Sequence, residues 1–219
     1  VSYLTSAIGR KQIMGVTGLV WAGFVLTHML GNLLIFVGPN AYNKYSHALV
    51  SNPFLIVAEL GLLATILLHI YNGISLTLKN KWARPEKPER ATNGKKAARA
   101  NSRFMIFHGT ILLVFIISHL ITFKYGTTYT TTVDGVEMRD LHRLVIEVFQ
   151  NPAAVAWYVV ALICLGLHLS HGFYSSFASL GFYHPKYSPW VNRFGYVYAV
   201  LVAAGFISQP LYVLFFAHS

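Results

Sequence analysis

Residues 51–73 read SNPFLIVAELGLLATILLHIYNG, an apolar run with a histidine near its far end. Residues 150–172, QNPAAVAWYVVALICLGLHLSHG, repeat the layout. Each opens on Asn-Pro and closes on His-x-x-x-Gly, and each places its histidine sixteen residues after the proline: Pro53 to His69, Pro152 to His168. Proline suits the first turn of a helix, where its missing N–H is not needed. At about 1.5 Å per residue both histidines lie roughly 24 Å along their helices. Two such helices entering from one side hold His69 and His168 at one depth.

The rest of the chain fits a membrane bundle. It has 219 residues, 55% of them hydrophobic and 11% charged, with a mean hydropathy of +0.51, a membrane-protein balance. Five apolar runs, near 12–37, 53–78, 104–123, 153–178 and 193–217, are long enough for a hydrocarbon core of about 30 Å. The single cysteine, Cys164, lies inside one of them and reads as a packing residue, so no disulfide framework is expected. The run after Lys11 is long enough to span, so the first residues are not expected to be a cleavable signal. A net charge of +10 raises the question of nucleic acid, but the basic residues sit in short loops between apolar runs, which argues against it. Thirteen fall on one side and four on the other. Nine are in residues 79–103 alone, a loop expected to be mobile and to dock soluble partners or anchor to lipid. The positive-inside rule puts the N-terminus in the cytoplasm and the C-terminus outside. Tyr and Trp at the run ends (Tyr42, Tyr45, Trp82, Tyr125, Tyr129, Tyr187, Trp190) suit interface anchors. Residues 138–149 are amphipathic and predict a short surface helix. The expected fold is an all-α membrane bundle of five transmembrane helices, one domain over 1–219, with the fifth helix at the edge.

The first and third runs share a second layout. Gly18 precedes His28 by ten residues and Gly109 precedes His119 by ten, and a hydroxyl residue, Thr27 or Ser118, stands before each histidine. Counted from their basic starts, His28 and His119 also share a level, on the order of 15–20 Å from that of His69 and His168. Four intramembrane histidines at two matched depths are expensive unless they face inward and have partners. Helix–helix hydrogen bonding is the plainer account of one such residue. Two matched pairs point instead to axial ligation of haem, one imidazole from each side of the ring. Gly15, Gly18, Gly23, Gly61, Gly109 and Gly166 are expected to let a flat macrocycle approach the backbone. With both axial positions filled, the iron moves electrons rather than activating a small molecule.

These segments carry a resemblance. The Thr-His of helix 1, the AYNKY after it, LLHIYNG, the Ile-Ser-His of helix 3 and QNP…HLSHG resemble the five-helix, di-haem cytochrome b membrane anchor of succinate:quinone oxidoreductases, a group that includes fumarate reductases. The resemblance covers nearly the whole chain. It implies two haem b, His69 and His168 holding the one nearer an iron–sulfur subunit and His28 and His119 the distal one. It also implies a quinone site near the distal haem, menaquinone favoured over ubiquinone, and a bacterial cytoplasmic membrane location. The resemblance further implies an iron–sulfur subunit and a flavoprotein subunit on the cytoplasmic face; this chain has neither a cysteine cluster nor a flavin-binding glycine motif, so those parts are expected on partner chains. Some fumarate reductases of the type carry a glutamate two residues before the helix-4 haem histidine; here that position is Gly166. Glu59, the single acid within an apolar run, is a candidate for proton exchange with quinol, with His47, Tyr42 and Tyr45 near its quinone carbonyls. Lys11, Arg10, Arg103 and His108 are candidates for haem propionates. His171 is the alternative ligand to His168, and His142, His184 and His218 read as solvated. Other readings are a cytochrome b of a hydrogenase or formate dehydrogenase, and a cofactor-free transporter or channel.

Overall fold

The structure, a computed structural model of the chain, describes residue 3, residues 6–82 and residues 93–217, for 80–81 and 93–103 the backbone only. Seven α-helices follow in order: α1 (Ala7–Asn32), α2 (Pro39–Val50), α3 (Leu55–Trp82), α4 (Asn93–His119), α5 (Leu141–Phe149), α6 (Pro152–Ser179) and α7 (Ser188–Phe216). Five contain stretches long and apolar enough to cross a membrane: Ala7–Phe36, Leu55–Lys79, Phe104–Lys124, Pro152–Ser179 and Ser188–Phe216. The chain is a multi-pass membrane protein by that measure.

Local chemistry explains where the helices begin. Ser6 caps α1 by accepting from the Gly9 N–H at 3.1 Å. The two Asn-Pro openings use one device: Asn52 Oδ1 accepts from Phe54 N, and Asn151 Oδ1 from Ala153 N, each at 2.9 Å. Pro152 then occupies the first turn of α6, but Pro53 lies in the turn ahead of α3. α4 ends at His119 and runs on into a single π-type turn, Leu120–Lys124.

Two corrections to the sequence reading concern the loops. The fold is not purely helical: Thr130–Val133 (β1) and Val136–Arg139 (β2) form an antiparallel hairpin, Thr130 opposite Arg139. Asp134 and Gly135 at its tip both have positive φ, the conformation a tight two-residue turn requires. The surface helix expected over 138–149 is α5, with Met138 in the strand before it, and residues 39–50 form a further helix. Of the basic loop 79–103, residues 83–92 lie outside the described residues and the backbone of 93–103 is already helical.

α2, the hairpin and α5 form a cap over one end of the bundle. Its centre is Asn43, 1% exposed. Asn43 Nδ2 donates to Asp140 Oδ1 at 2.8 Å and its Oδ1 accepts from the His142 N–H at 2.9 Å. The same Asp140 oxygen caps α5 by accepting from Arg143 N. Lys44 pairs with Asp134 at the hairpin tip. His142 is therefore not a solvated loop residue: burial holds its imidazole below the ordinary range although Asp140 pulls the other way. Burial likewise raises the Tyr42 phenol. Asn43→Ala removes both tethers at once. It is expected to lower stability by about 2 kcal/mol, read as an earlier thermal unfolding in detergent with the helix content of the folded state unchanged.

The tightest packing lies on one side of the bundle. Beneath the cap, Ile35, Tyr42, Val145, Phe149, Val155, Tyr158, Leu162 and Val213 form one buried cluster. Ala22, Leu169, Ala199 and Val202 form a second between α1, α6 and α7. The fifth spanning helix, α7, is thus a packing partner of α6 and α1 rather than an edge element. α3 packs along α1 and α4 along α6, but among the described residues these two helices bury the fewest side chains. The only buried residue in the described part of α3 is a polar one, Asn72, and none of Phe104–His119 is buried.

Candidate functional site

The four intramembrane histidines come from α1, α3, α4 and α6 and meet in twos. His28 and His119 have ring centres 5.9 Å apart with planes at 88°. His69 and His168 have ring centres 6.2 Å apart at 59°. All four side chains are half-buried. Metal–imidazole bonds of about 2.0–2.1 Å, added to the distance from nitrogen to ring centre, place two axial imidazoles about 6.3 Å apart. Each ring need only contain the common axis, so any angle between the planes is allowed. Among the described residues no three His, Cys, Asp or Glu side chains gather as a metal-ion group; an axial pair requires two.

The pairs lie at different depths. Thr17 touches His69, so on α1 the levels are eleven residues apart, about 16 Å. Tyr158 touches His119, so on α6 they are ten residues apart, about 15 Å. Gly109, beside His168, is ten residues before His119 on α4 and returns the same figure, about 15 Å. The His28–His119 pair is on the cap side and the His69–His168 pair on the far side.

The hydrogen bonds around Thr17 accord with one tautomer of His69. The Thr17 hydroxyl donates to the Ile13 carbonyl at 2.7 Å, so at 3.2 Å it accepts from His69 Nδ1–H. With the hydrogen on Nδ1, His69 Nε2 would keep its lone pair, the state a metal ligand needs. His119 Nδ1 lies 3.1 Å from the Tyr158 hydroxyl. His168 Nδ1 is buried without a partner. Asn32 Nδ2 donates to the His28 carbonyl at 2.8 Å and stands 3.4 Å from His28 Nε2, the limit of a hydrogen bond, while Tyr42 donates to Asn32 Oδ1 at 2.6 Å.

Two glycines make room at the far-side pair. A Cβ at Gly18 would stand 3.4 Å from His69 Cε1, and one at Gly109 would stand 3.7 Å from His168 Cε1. The other four glycines singled out by sequence do different work. Gly15 packs on the Ser176 backbone and Gly166 on Ala203 of α7, while Cβ atoms at Gly23 and Gly61 would meet nothing within 4 Å. Indoles tie the helices in pairs: Trp21 Nε1 donates to Thr65 at 3.2 Å, joining α1 to α3, and Trp157 Nε1 to Ser118 at 3.1 Å, joining α6 to α4. Imidazoles whose ring centres stand at axial-ligand spacing, and glycines against two of the rings, fit haem.

No family model matches the chain, and no curated protein or solved structure matches it either.

The remaining candidates are scattered. Glu59 pairs with Lys124 at 2.5 Å, both side chains 40% exposed, which joins α3 to the turn after α4. Tyr45, on α2, sets the tip of its ring against Gly31, where any Cβ would require that ring to move. His47 stands 3.4 Å from Ser51 Oγ. Neither Tyr45 nor His47 has a recorded contact with Glu59. His108 is half-buried against Phe104 with Nδ1 unpartnered. Lys11 is exposed, Arg10 bonds Ser75 of α3, and the side chain of Arg103 lies outside the described residues, as does His218. His171 is half-buried on α6, but the ring that faces His69 is that of His168. Sequence reasoning missed Thr17, Tyr158 and Lys124, whose roles depend on helix rotation, not on spacing.

Proposed function

We propose that the chain is the di-haem cytochrome b membrane anchor of a succinate:quinone oxidoreductase. The observation that carries this is the pair of imidazole couples, each at axial-ligand separation and about 15 Å apart in depth. His28 and His119 would hold one haem b, His69 and His168 the other. Bound in this way, the group supplies reversible one-electron storage with no open coordination position. The protein's own part is to orient the imidazoles, to keep the proton on His69 Nδ1 through Thr17, and to exclude water with the packed faces of α1 and α6.

In this reading the bundle joins a quinone, menaquinone or ubiquinone, to iron–sulfur and flavoprotein subunits at the opposite membrane face. The excess of basic residues supports placing the far-side pair toward the cytoplasm and the cap outside, in a bacterial inner membrane. Glu59, His47 and Tyr45, all toward the cap end, are the candidates for contact with the quinone, and Lys11, His108 and Arg103 those for the haem propionates, though the structure does not gather either set into one group. The dicarboxylate chemistry belongs to the partner chains.

The purified chain is expected to show a b-type absorption spectrum with two haems per polypeptide by pyridine haemochrome. One haem or none overturns the di-haem reading. Co-purification with a flavoprotein supports the assigned complex, and with a nickel or molybdenum protein would reassign it.

A further inference from the structure

Tyr158 stands in an aromatic box and has one polar neighbour. Its ring lies 4.9 Å from Phe115, 4.8 Å from Phe149 and 6.1 Å from Phe123, and the residue is 8% exposed. Among the described residues, the hydrogen-bond partner of its hydroxyl is His119 Nδ1, at 3.1 Å. A buried hydroxyl left alone costs roughly 1–3 kcal/mol, so the box holds the phenol and the imidazole to each other.

The four rings differ in what meets Nδ1. His69 has an aliphatic hydroxyl whose own proton is committed to Ile13. His168 has none. His28 is approached by Asn32, on the Nε2 side. His119 alone meets a phenol. An imidazole bound to a metal through Nε2 carries its hydrogen on Nδ1, so the phenol oxygen must then accept. A partner that accepts this hydrogen fixes the ring's orientation and makes it a more basic ligand. A more basic ligand favours the oxidised metal and lowers its reduction potential.

We propose that Tyr158 is a positioning residue for His119, its phenol oxygen accepting the Nδ1 hydrogen and thereby turning Nε2 toward His28 and setting the potential of the cap-side centre independently of the far-side one. This rests on the axial-pair reading above. The phenol reaches the iron only through His119, and Phe115, Phe123 and Phe149 leave it no other polar group to choose.

The test is a redox titration, with low-temperature electron paramagnetic resonance, of Tyr158→Phe in the complete chain. Phenylalanine keeps the ring and its packing and removes the oxygen alone. The variant should retain two haems, raise the midpoint of the cap-side centre, change that centre's resonance, and leave the far-side centre unmoved. The cap-side signal is identified as the one missing from His119→Ala. Two retained haems with both midpoints unmoved overturn the proposal, because a residue that only packs would give that result. If Tyr158→Phe fails to assemble, 3,5-difluorotyrosine at position 158 decides: it keeps the hydroxyl and weakens its oxygen as an acceptor. An upward shift of the cap-side midpoint supports the proposal and no shift rejects it. An unaltered chain that carries no haem would defeat the axial-pair reading itself, an outcome distinct from an unmoved midpoint.

Discussion

His119→Ala is expected to remove one b-type centre and leave the other, halving the haem content from two per chain to one. The two levels are about 15 Å apart along α4 and α6, and sites farther apart than roughly 10 Å with no shared partner act independently. The far-side pair, His69 and His168, touches neither His119 nor Tyr158 among the recorded contacts. The direct structural penalty is limited to the Tyr158 hydroxyl, which loses its partner at a cost of roughly 1–3 kcal/mol, while the apolar cluster around that ring stays in place. Combinations make the pairing explicit. His28→Ala with His119→Ala should lose no more haem than either alone, whereas His119→Ala with His168→Ala should lose both. Haem counting with a circular dichroism check of helix content reads all four proteins. If His119→Ala kept both haems, or if the two cap-side substitutions were additive, the assignment of partners would be wrong.

Gly18→Val is expected to abolish the far-side centre with all four histidines in place. A Cβ at position 18 would lie 3.2 Å from Ser176 Oγ and 3.4 Å from His69 Cε1. Alanine fits if its neighbours give by a few tenths of an ångström. A branched side chain has to displace the His69 ring or part α1 from α6, and overpacking of this kind typically costs about 1–3 kcal/mol. The cheapest relief is rotation of His69, which breaks its contact with Thr17 and takes Nε2 off the common axis with His168. Gly61→Val is the matched control, since a Cβ there would meet nothing within 4 Å. The expected haem contents are one per chain for Gly18→Val, near two for Gly18→Ala and two for Gly61→Val. Equal loss in Gly18→Val and Gly61→Val would show that the effect is one of insertion or expression and not of space beside His69.

The spanning helices and the two histidine levels were legible in the sequence because both are set by counting along a helix, and neighbouring helices share a rise per residue. Rotation about a helix axis was not legible. Lipid is as apolar as a packed core, so hydropathy does not say which face of α7 meets α6 or that α3 and α4 bury so little. The cap left signals that went unread. Gly38 with positive φ before Pro39 marks a helix start, and Asp134-Gly135 between Val133 and Val136 is a hairpin turn pattern. Asn43 and Asp140, by contrast, are 97 residues apart, and no local pattern announces their bond. The same holds for Glu59 and Lys124, which look like an isolated acid and a loop-side cation until α3 and α4 stand side by side. Of the site itself, the pairing of the four histidines was visible in the spacing of like motifs, while nothing in the local sequence says that Thr17 and Tyr158 turn their oxygens to His69 and His119.

The shallow burial of α3 and α4 bears on how such a protein is made. Each contributes an imidazole to a couple, and each packs along one neighbour, α3 on α1 and α4 on α6, rather than on the helix that carries its partner histidine. If the proposed haems bind, they would add the missing cross-ties, α3 to α6 and α1 to α4, after the helices have entered the bilayer. On that reading, a cell short of iron or porphyrin would hold the chain without these cross-ties, so its abundance should follow haem supply even where its messenger level does not.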